Sequence, residues 1–278
     1  MSRFTIVVAK RDIEPHTARY DDFVKALGDA LIELGHEVVG LDNPGRLIMF
    51  NTTNMFDPAG QLPADAILFN TEQLAAVATP KFIFPSYKEN KKRVIWDYSE
   101  ANVKVLRELG CERVVHCPVG YIKSMTTIEP ACEDVDVLFY GSLPQRRAEI
   151  LTALADAGLA VKHLYGVFGA KRDEWIARSK IVLNLHYGYD YGAVFEIIRV
   201  SHLLANKKCV VSEVANIDSE LEDFAKRSTT YMPRAGIVAA CKHLVNEPKA
   251  RREEAERGFE QFSKTSLVDN VRKAMELS

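Results

Sequence analysis

The sequence lacks most of the features that assign a protein class at a glance. No apolar run approaches the roughly 18–20 residues needed to cross a bilayer. Residues 1–9 are mostly apolar but run at once into Lys10, Arg11 and Asp12. That stretch has neither the length nor the small-residue cleavage site of a secretory signal. Neither charge sign dominates: 36 Lys and Arg stand against 38 Asp and Glu, a formal net charge of -2. This balance argues against binding nucleic acid through bulk charge and leaves room only for a local basic patch. The five cysteines, Cys111, Cys117, Cys132, Cys209 and Cys241, are an odd, scattered set without CxxC spacing. They read as reduced, buried thiols in a cytoplasm, and no His/Cys pairing suggests zinc. No internal repeat or low-complexity tract is present. No G-x-G-x-x-G follows the first strand, which disfavours a dinucleotide-dependent dehydrogenase.

What remains is an ordinary globular chain. Its 278 residues are 47% hydrophobic and 27% charged, enough apolar material for two modest cores. Short apolar strands alternate with amphipathic helices, the pattern of α/β proteins with mostly parallel sheets. Strands are expected over 4–9, 37–41, 66–69, 93–96 and 113–116, with helices over 20–34 and 99–109. Gly35 and Gly110 end those helices, and Ser99 is the expected N-cap of the second. The first domain is thus placed at 1–120. Residues 121–134 are polar and aperiodic and read as a linker.

A second α/β domain is expected over 135–278. Its strands fall at 135–140, 160–164, 181–185 and 209–211, and its helices at 144–157, 173–178 and near 195–205. Charged terminal helices follow, carrying an apolar stripe at Phe259, Phe262, Leu267, Val271 and Met275. Two such Rossmann-like domains are expected to face a cleft at the carboxyl ends of their strands, so the loops after strands should carry function.

Two of those loops stand out. In Tyr140-Gly141-Ser142-Leu143-Pro144-Gln145-Arg146-Arg147 a strand ends, a glycine admits close approach, and a helix begins. The free N–H groups of a helix start favour an anion, and an arginine there can grip a phosphate by two bonds. A plain strand-to-helix turn with solvated arginines is the alternative. The second loop, residues 184–196, holds His186, Tyr187, Gly188, Tyr189, Tyr191 and Gly192 and ends in Phe195-Glu196. Tyrosines stack on rings and donate hydrogen bonds, and a carboxylate accepts both hydroxyls of a ribose. Glu196 also suits a helix start electrostatically.

Residues 179–186, Val194-Phe195-Glu196 and residues 203–213 together resemble the C-terminal half of GT-B glycosyltransferases. They are most similar to the glycosyltransferase family 1-like group that includes spore-protein glycosyltransferase-like domains. The likeness covers roughly residues 135–215, and Pro118-Val119-Gly120-Tyr121 resembles the hinge of such proteins. The resemblance implies a GT-B fold and a nucleotide-diphosphate sugar as co-substrate, UDP- or GDP-type, with no obligatory metal. It implies that Glu196 holds the donor ribose, with Phe195 beside it. It implies that Gly141, Ser142 and Arg146 lie near the diphosphate, and that His186 and Tyr187 face the sugar or phosphates. One departure stands out: Gly188 occupies the position where retaining members carry the first glutamate of an E-x7-E pair.

The loop after the first strand holds the candidate catalytic base, His16, with Asp12 and Glu14 behind it. Histidine suits that task because it titrates near neutrality. Asn70, Glu72 and Gln73 follow a buried strand and are the candidate acceptor-side residues. His36 sits in a helix-to-strand turn and reads as structural. Residues 87–93 form the one basic cluster, able in principle to attract a phosphorylated, lipid-linked or nucleic-acid acceptor. The expected activity is transfer of a sugar from a nucleotide donor to a hydroxyl acceptor. The alternatives are a sugar-nucleotide epimerase or hydrolase sharing the donor site, and a non-catalytic sugar-nucleotide-binding protein.

Overall fold

A computed structural model describes residues 1–9, 15–50, 62–76, 84–188 and 193–278. The chain divides into two compact units, residues 1–122 with 266–278, and residues 123–265. Each is built on its own parallel sheet.

In the first unit, the elements in order are β1 (Arg3–Val8), α1 (Asp21–Glu33), β2 (Glu37–Val38), β3 (Arg46–Phe50) and β4 (Ile67–Asn70). They continue with α2 (Phe84–Glu89), β5 (Val94–Asp97), α3 (Glu100–Glu108) and β6 (Arg113–His116). The sheet runs β2-β1-β3-β4-β5-β6. Strands β4 and β5 are buried at every position, as expected when helices cover both faces of a sheet. One face carries an aromatic cluster in which Phe50 stacks on Phe69 at 4.8 Å and Phe23 meets Phe69 edge-on at 5.3 Å. The other packs Met49, Leu68, Ile95, Tyr87 and Leu106. Ser99 caps α3 as expected, its side chain accepting from the Asn102 N–H. Gly35 and Gly110 take the positive φ that ends α1 and α3.

The second unit holds β7 (Val135–Tyr140), α4 (Gln145–Asp156), β8 (Val161–Leu164), α5 (Gly169–Ala177), β9 (Ser179–Asn184) and α6 (Ile197–Ala205). Then come β10 (Cys209–Glu213), α7 (Ser219–Ser228), β11 (Thr230–Met232), α8 (Ile237–Asn246) and α9 (Pro248–Ser263). The sheet order is β11-β10-β9-β7-β8. The chain leaves β7 for β8 on one side and returns to β9 on the other. The order therefore reverses between β7 and β9, and open α/β sheets bind ligands beyond the carboxyl ends of strands at such a reversal. The core beneath this point is Phe139, Leu154, Ile181, Leu183, Val211, Ile237 and Cys241.

The sequence stripe at the C-terminus is split. The last helix, α10 (Leu267–Glu276), belongs to the first unit and not to the second. There Asn270 Nδ2 donates to the Pro118 carbonyl at 2.9 Å, and Trp96 Nε1 donates to Ser278 Oγ at 2.8 Å. The expected linker 121–134 is not a separate tether either. Residues 123–134 are fastened to the second unit, where Asn206 Oδ1 accepts from the N–H groups of Thr127 and Ile128, both at 2.8 Å.

Candidate functional site

The reversal between β7 and β9 brings together most of the second-unit residues named from sequence. Gly141 follows β7 at φ +136°, a backbone conformation that side chains rarely adopt. A Cβ built there would meet Phe139, Arg199 and Arg147 at 3.6 to 3.8 Å. The strand-to-helix turn thus passes close beneath two guanidinium groups.

Arg147, on the first turn of α4, is almost fully buried. Its Nε donates to the His186 carbonyl at 3.0 Å, Nη1 to the Ser142 carbonyl at 3.1 Å, and Nη2 to the Leu185 carbonyl. It also lies 3.6 Å from Glu196 Oε1 and over the rings of Phe139 and Tyr187, 5.1 and 5.5 Å from their centroids. Burial pushes this guanidinium down to about 10, which leaves it charged at neutral pH. Its work is to tie the loop after β7 to the loop after β9.

Arg146, the arginine expected at a diphosphate, is committed elsewhere. It forks onto the buried carboxylate of Glu213 at the end of β10, Nη1 to Oε2 at 2.9 Å and Nη2 to Oε1. Glu213 also accepts the His186 N–H at 3.0 Å. The group placed to meet an anion is Arg199, on α6. Its Nη2 pairs with Glu196 Oε2 at 2.7 Å, while its buried Nη1 has no partner among the described residues. Arg199 and Arg172 both face the Tyr140 ring, at 5.8 and 5.7 Å. Arg172 pairs with Asp173, which also meets His202 Nε2 at 3.1 Å. His202 and Arg172 hold the Asp173 carboxyl below its ordinary value against the cost of burial. Among the described residues here, four arginines (146, 147, 172 and 199) stand against three carboxylates (Glu196, Glu213 and Asp173). The excess of positive charge favours an anionic ligand.

Phe195 is a correction: its ring is buried against Phe224 at 6.3 Å and packs the core. Tyr187 is exposed beside Arg147, and Glu196 stands at the N-cap position of α6 without a side-chain cap hydrogen bond. Sequence reasoning passed over Arg199 and Glu213. The spacing Glu196 to Arg199 was visible but looks like a routine helix-surface ion pair.

In the first unit, β4 and β5 end in a buried polar network. Asn70 Nδ2 donates to Asp97 Oδ2 at 2.5 Å, and Tyr87 Oη donates to Asn70 Oδ1 at 2.6 Å. Asn102 Nδ2 reaches Asp97 Oδ1 at 3.2 Å and the Glu72 carbonyl at 2.8 Å, and its Oδ1 accepts the Ala75 N–H at 2.9 Å. Asn70 is therefore a structural residue that shapes the loop, not one open to a ligand. The Glu72 carboxylate lies 3.0 Å from Arg19 Nη2 and accepts from Tyr20 Oη at 3.2 Å. Burial, with help from Glu72, pushes the Tyr20 hydroxyl up to about 12. Gln73 stands in the same loop, half-buried.

Asp12 lies outside the described residues, as does Glu14. His16 falls in a short 3-10 turn, Pro15–Tyr20, whose described part does not include its side chain. His36 is structural as expected, accepting the Ser2 N–H at 3.2 Å and meeting Phe4 edge-on. The basic cluster precedes β5, at the opposite end of the parallel sheet from Asp97, and Arg93 there holds the Leu62 carbonyl at 2.8 Å. Among the described residues, no helix is long and apolar enough to cross a membrane.

No protein-family model matches the chain. Two proteins of Acanthamoeba polyphaga mimivirus are similar in sequence. Uncharacterized protein L140 is 29% identical over 164 residues, 57% of this chain and 50% of that protein. Uncharacterized protein L137 is 26% identical over 206 residues, 70% of this chain and 27% of that protein. The chain thus spans about half of the first and about a quarter of the second. Solved structures match it along its length. Anabaena Alr3699/HepE in complex with UDP and glucose superposes with a TM-score of 0.66 at 11% identity, over 98% of each chain. WaaG, a glycosyltransferase involved in lipopolysaccharide biosynthesis, gives 0.62 at 10% identity, over 99% of this chain and 100% of that one. The DNA-modifying enzyme β-glucosyltransferase gives 0.61 at 13% identity, over 99% of each. With its two parallel sheets and this likeness along the whole chain, the protein has the GT-B glycosyltransferase fold.

Proposed function

We propose that the protein is a glycosyltransferase that takes a sugar from a nucleotide-diphosphate donor, UDP- or GDP-type, and transfers it to a hydroxyl. The observation that carries this reading is Arg199, whose Nη2 stands beside Gly141 and Glu196 while its buried Nη1 has no partner among the described residues. A donor diphosphate supplies the acceptor oxygens that this guanidinium lacks, and Glu196 has the chemistry to take ribose hydroxyls. One solved neighbour is in complex with UDP and glucose and another has uridine diphosphoglucose as its substrate, which supports a UDP donor.

In the proposed reaction the acceptor oxygen bonds to the anomeric carbon. The bond from that carbon to the diphosphate breaks, and the nucleoside diphosphate leaves with the electron pair. Arg199 and the start of α4 stabilise the charge that builds on the leaving group, with no metal required. His16 takes the acceptor proton, with Asp12 the second candidate for that role. The Glu72 loop lines the acceptor side, and the acceptor is a glycan, a lipid-linked saccharide or a modified nucleic acid.

The test is binding of UDP, GDP and their hexose conjugates to wild type, Arg199→Ala and His16→Ala, followed by sugar release in the presence of acceptors. The proposal requires wild-type binding of one diphosphate, its loss in Arg199→Ala, and retained binding with lost transfer in His16→Ala. Wild-type indifference to every nucleotide would overturn it.

A further inference from the structure

Two buried hydrogen-bond acceptors at the end of β9 are unmatched. Asn184 ends β9, and His186 follows two residues later. Asn184 is fully buried; its Nδ2 donates to Ser212 Oγ at 3.0 Å, and its Oδ1 has no partner among the described residues. His186 is 3% exposed, and its Nε2 lies 3.0 Å from the Val214 carbonyl oxygen. A carbonyl oxygen only accepts, so Nε2 carries the ring proton. Nδ1 is then a bare lone pair, buried and without a partner among the described residues.

The ring stays neutral. Burial holds the imidazole below its ordinary value, with Arg146 assisting and Glu196 and Glu213 opposing. The same pairings place His186 within electrostatic reach of Glu196, in the cluster beside Gly141. A buried acceptor left unpaired destabilises the fold, a cost that a ligand bearing a donor removes. A phosphate oxygen cannot do so, because it too is an acceptor at neutral pH. A hydroxyl can.

We propose that His186 Nδ1 accepts a hydrogen bond from a hydroxyl of the nucleotide sugar, on its ribose or on the transferred hexose. This rests on the donor-site reading above and divides the labour within it. Arg199 meets the phosphates, and His186 reads a hydroxyl and does not touch the phosphates.

Glutamine separates the two ring nitrogens. Its amide N–H stands where Nε2–H does and still meets Val214, but nothing replaces Nδ1. Asparagine instead sets its carbonyl oxygen near the Nδ1 position. The experiment measures affinity of wild type, His186→Gln and His186→Asn for UDP-glucose, UDP and 2′,3′-dideoxy-UDP. Loss of one hydroxyl bond corresponds to roughly tenfold in affinity. A loss of that size in His186→Gln on UDP-glucose alone, regained in His186→Asn, assigns the bond to the hexose. A loss on UDP-glucose and UDP but not on the dideoxy compound assigns it to the ribose. Equal losses on all three ligands, or none on any, overturn the proposal. A wild type that binds none of the three overturns the UDP form of the donor-site reading, and the hydroxyl assignment on a UDP-sugar falls with it.

Discussion

Arg147 donates its Nε–H to the carbonyl oxygen of His186 at 3.0 Å, which locks the loop after β7 to the loop after β9. The two loops flank the point where the strand order reverses, so the bond fixes the walls of the candidate site. Lysine has neither the fork nor the reach to satisfy three carbonyls at once. Arg147→Lys should therefore lower unfolding stability by roughly 3 kcal/mol, from unpaired carbonyls and a poorly housed charge. Denaturant unfolding of the second unit measures this. A change under about 0.5 kcal/mol, within the range of ordinary surface substitutions, would contradict it.

Acid should weaken the second unit through His186. In the unfolded chain this imidazole titrates near 6.5, and burial lowers it in the folded protein. Below that ordinary value the unfolded state binds more protons, so the contribution is fully present above it and is lost as pH falls through it. The melting temperature of wild type should fall from pH 7.5 to 5.5 more steeply than that of His186→Gln. Parallel slopes would show that His186 does not titrate on unfolding in this window.

Four of the five thiols should be silent in the native protein. Burial pushes Cys111 up to about 11 and Cys117, Cys209 and Cys241 up to about 12, while Cys132 is exposed. The thiolate is the reactive form, so a thiol reagent near neutral pH should label Cys132 alone and all five after denaturation. Rapid native labelling of a second cysteine would count against the packing described.

The loop at Glu72 depends on a residue that is not on it. Asp97 accepts from Asn70, from Asn102 and from the Ser99 N–H at 2.8 Å, and the two asparagines hold the loop at Glu72 and Ala75. Asp97→Ala strands these buried donors at roughly 1–3 kcal/mol each. It should destabilise the first unit while leaving donor affinity of the folded protein within twofold. Intact stability would contradict the network, and a large loss of nucleotide affinity in folded protein would contradict the division of roles.

Much of this architecture was legible because strand burial on both faces leaves continuous apolar runs. β6 and β7 fall at their expected residues, and Ser99 caps α3 for the local reason its hydroxyl suggests. β3 escaped because Arg46-Leu47-Ile48-Met49-Phe50 sits between polar stretches of sequence, and β11 has only three residues. The apolar stripe of α10 showed that the helix is covered, but a stripe carries no label for the body that covers it. In the site, the glycines and tyrosines advertised the loops. The roles of the arginines were hidden, since Arg146, Arg147 and Arg199 differ only in which acceptors the fold brings to them. Gly141 takes a positive φ, which a glycine adopts and other residues rarely do.

The central claim is that the cluster at Gly141, Glu196 and Arg199 holds the diphosphate and ribose of a nucleotide sugar. The most direct measurement is a titration of purified wild type, Arg199→Ala and Glu196→Ala with nucleoside diphosphates, followed by calorimetry or by melting temperature. A ligand that binds only the folded state must raise that temperature. The account predicts that one diphosphate binds wild type and that each substitution weakens it at least tenfold in protein that is still folded. Undiminished binding in both variants, or none in wild type at millimolar ligand, would contradict it.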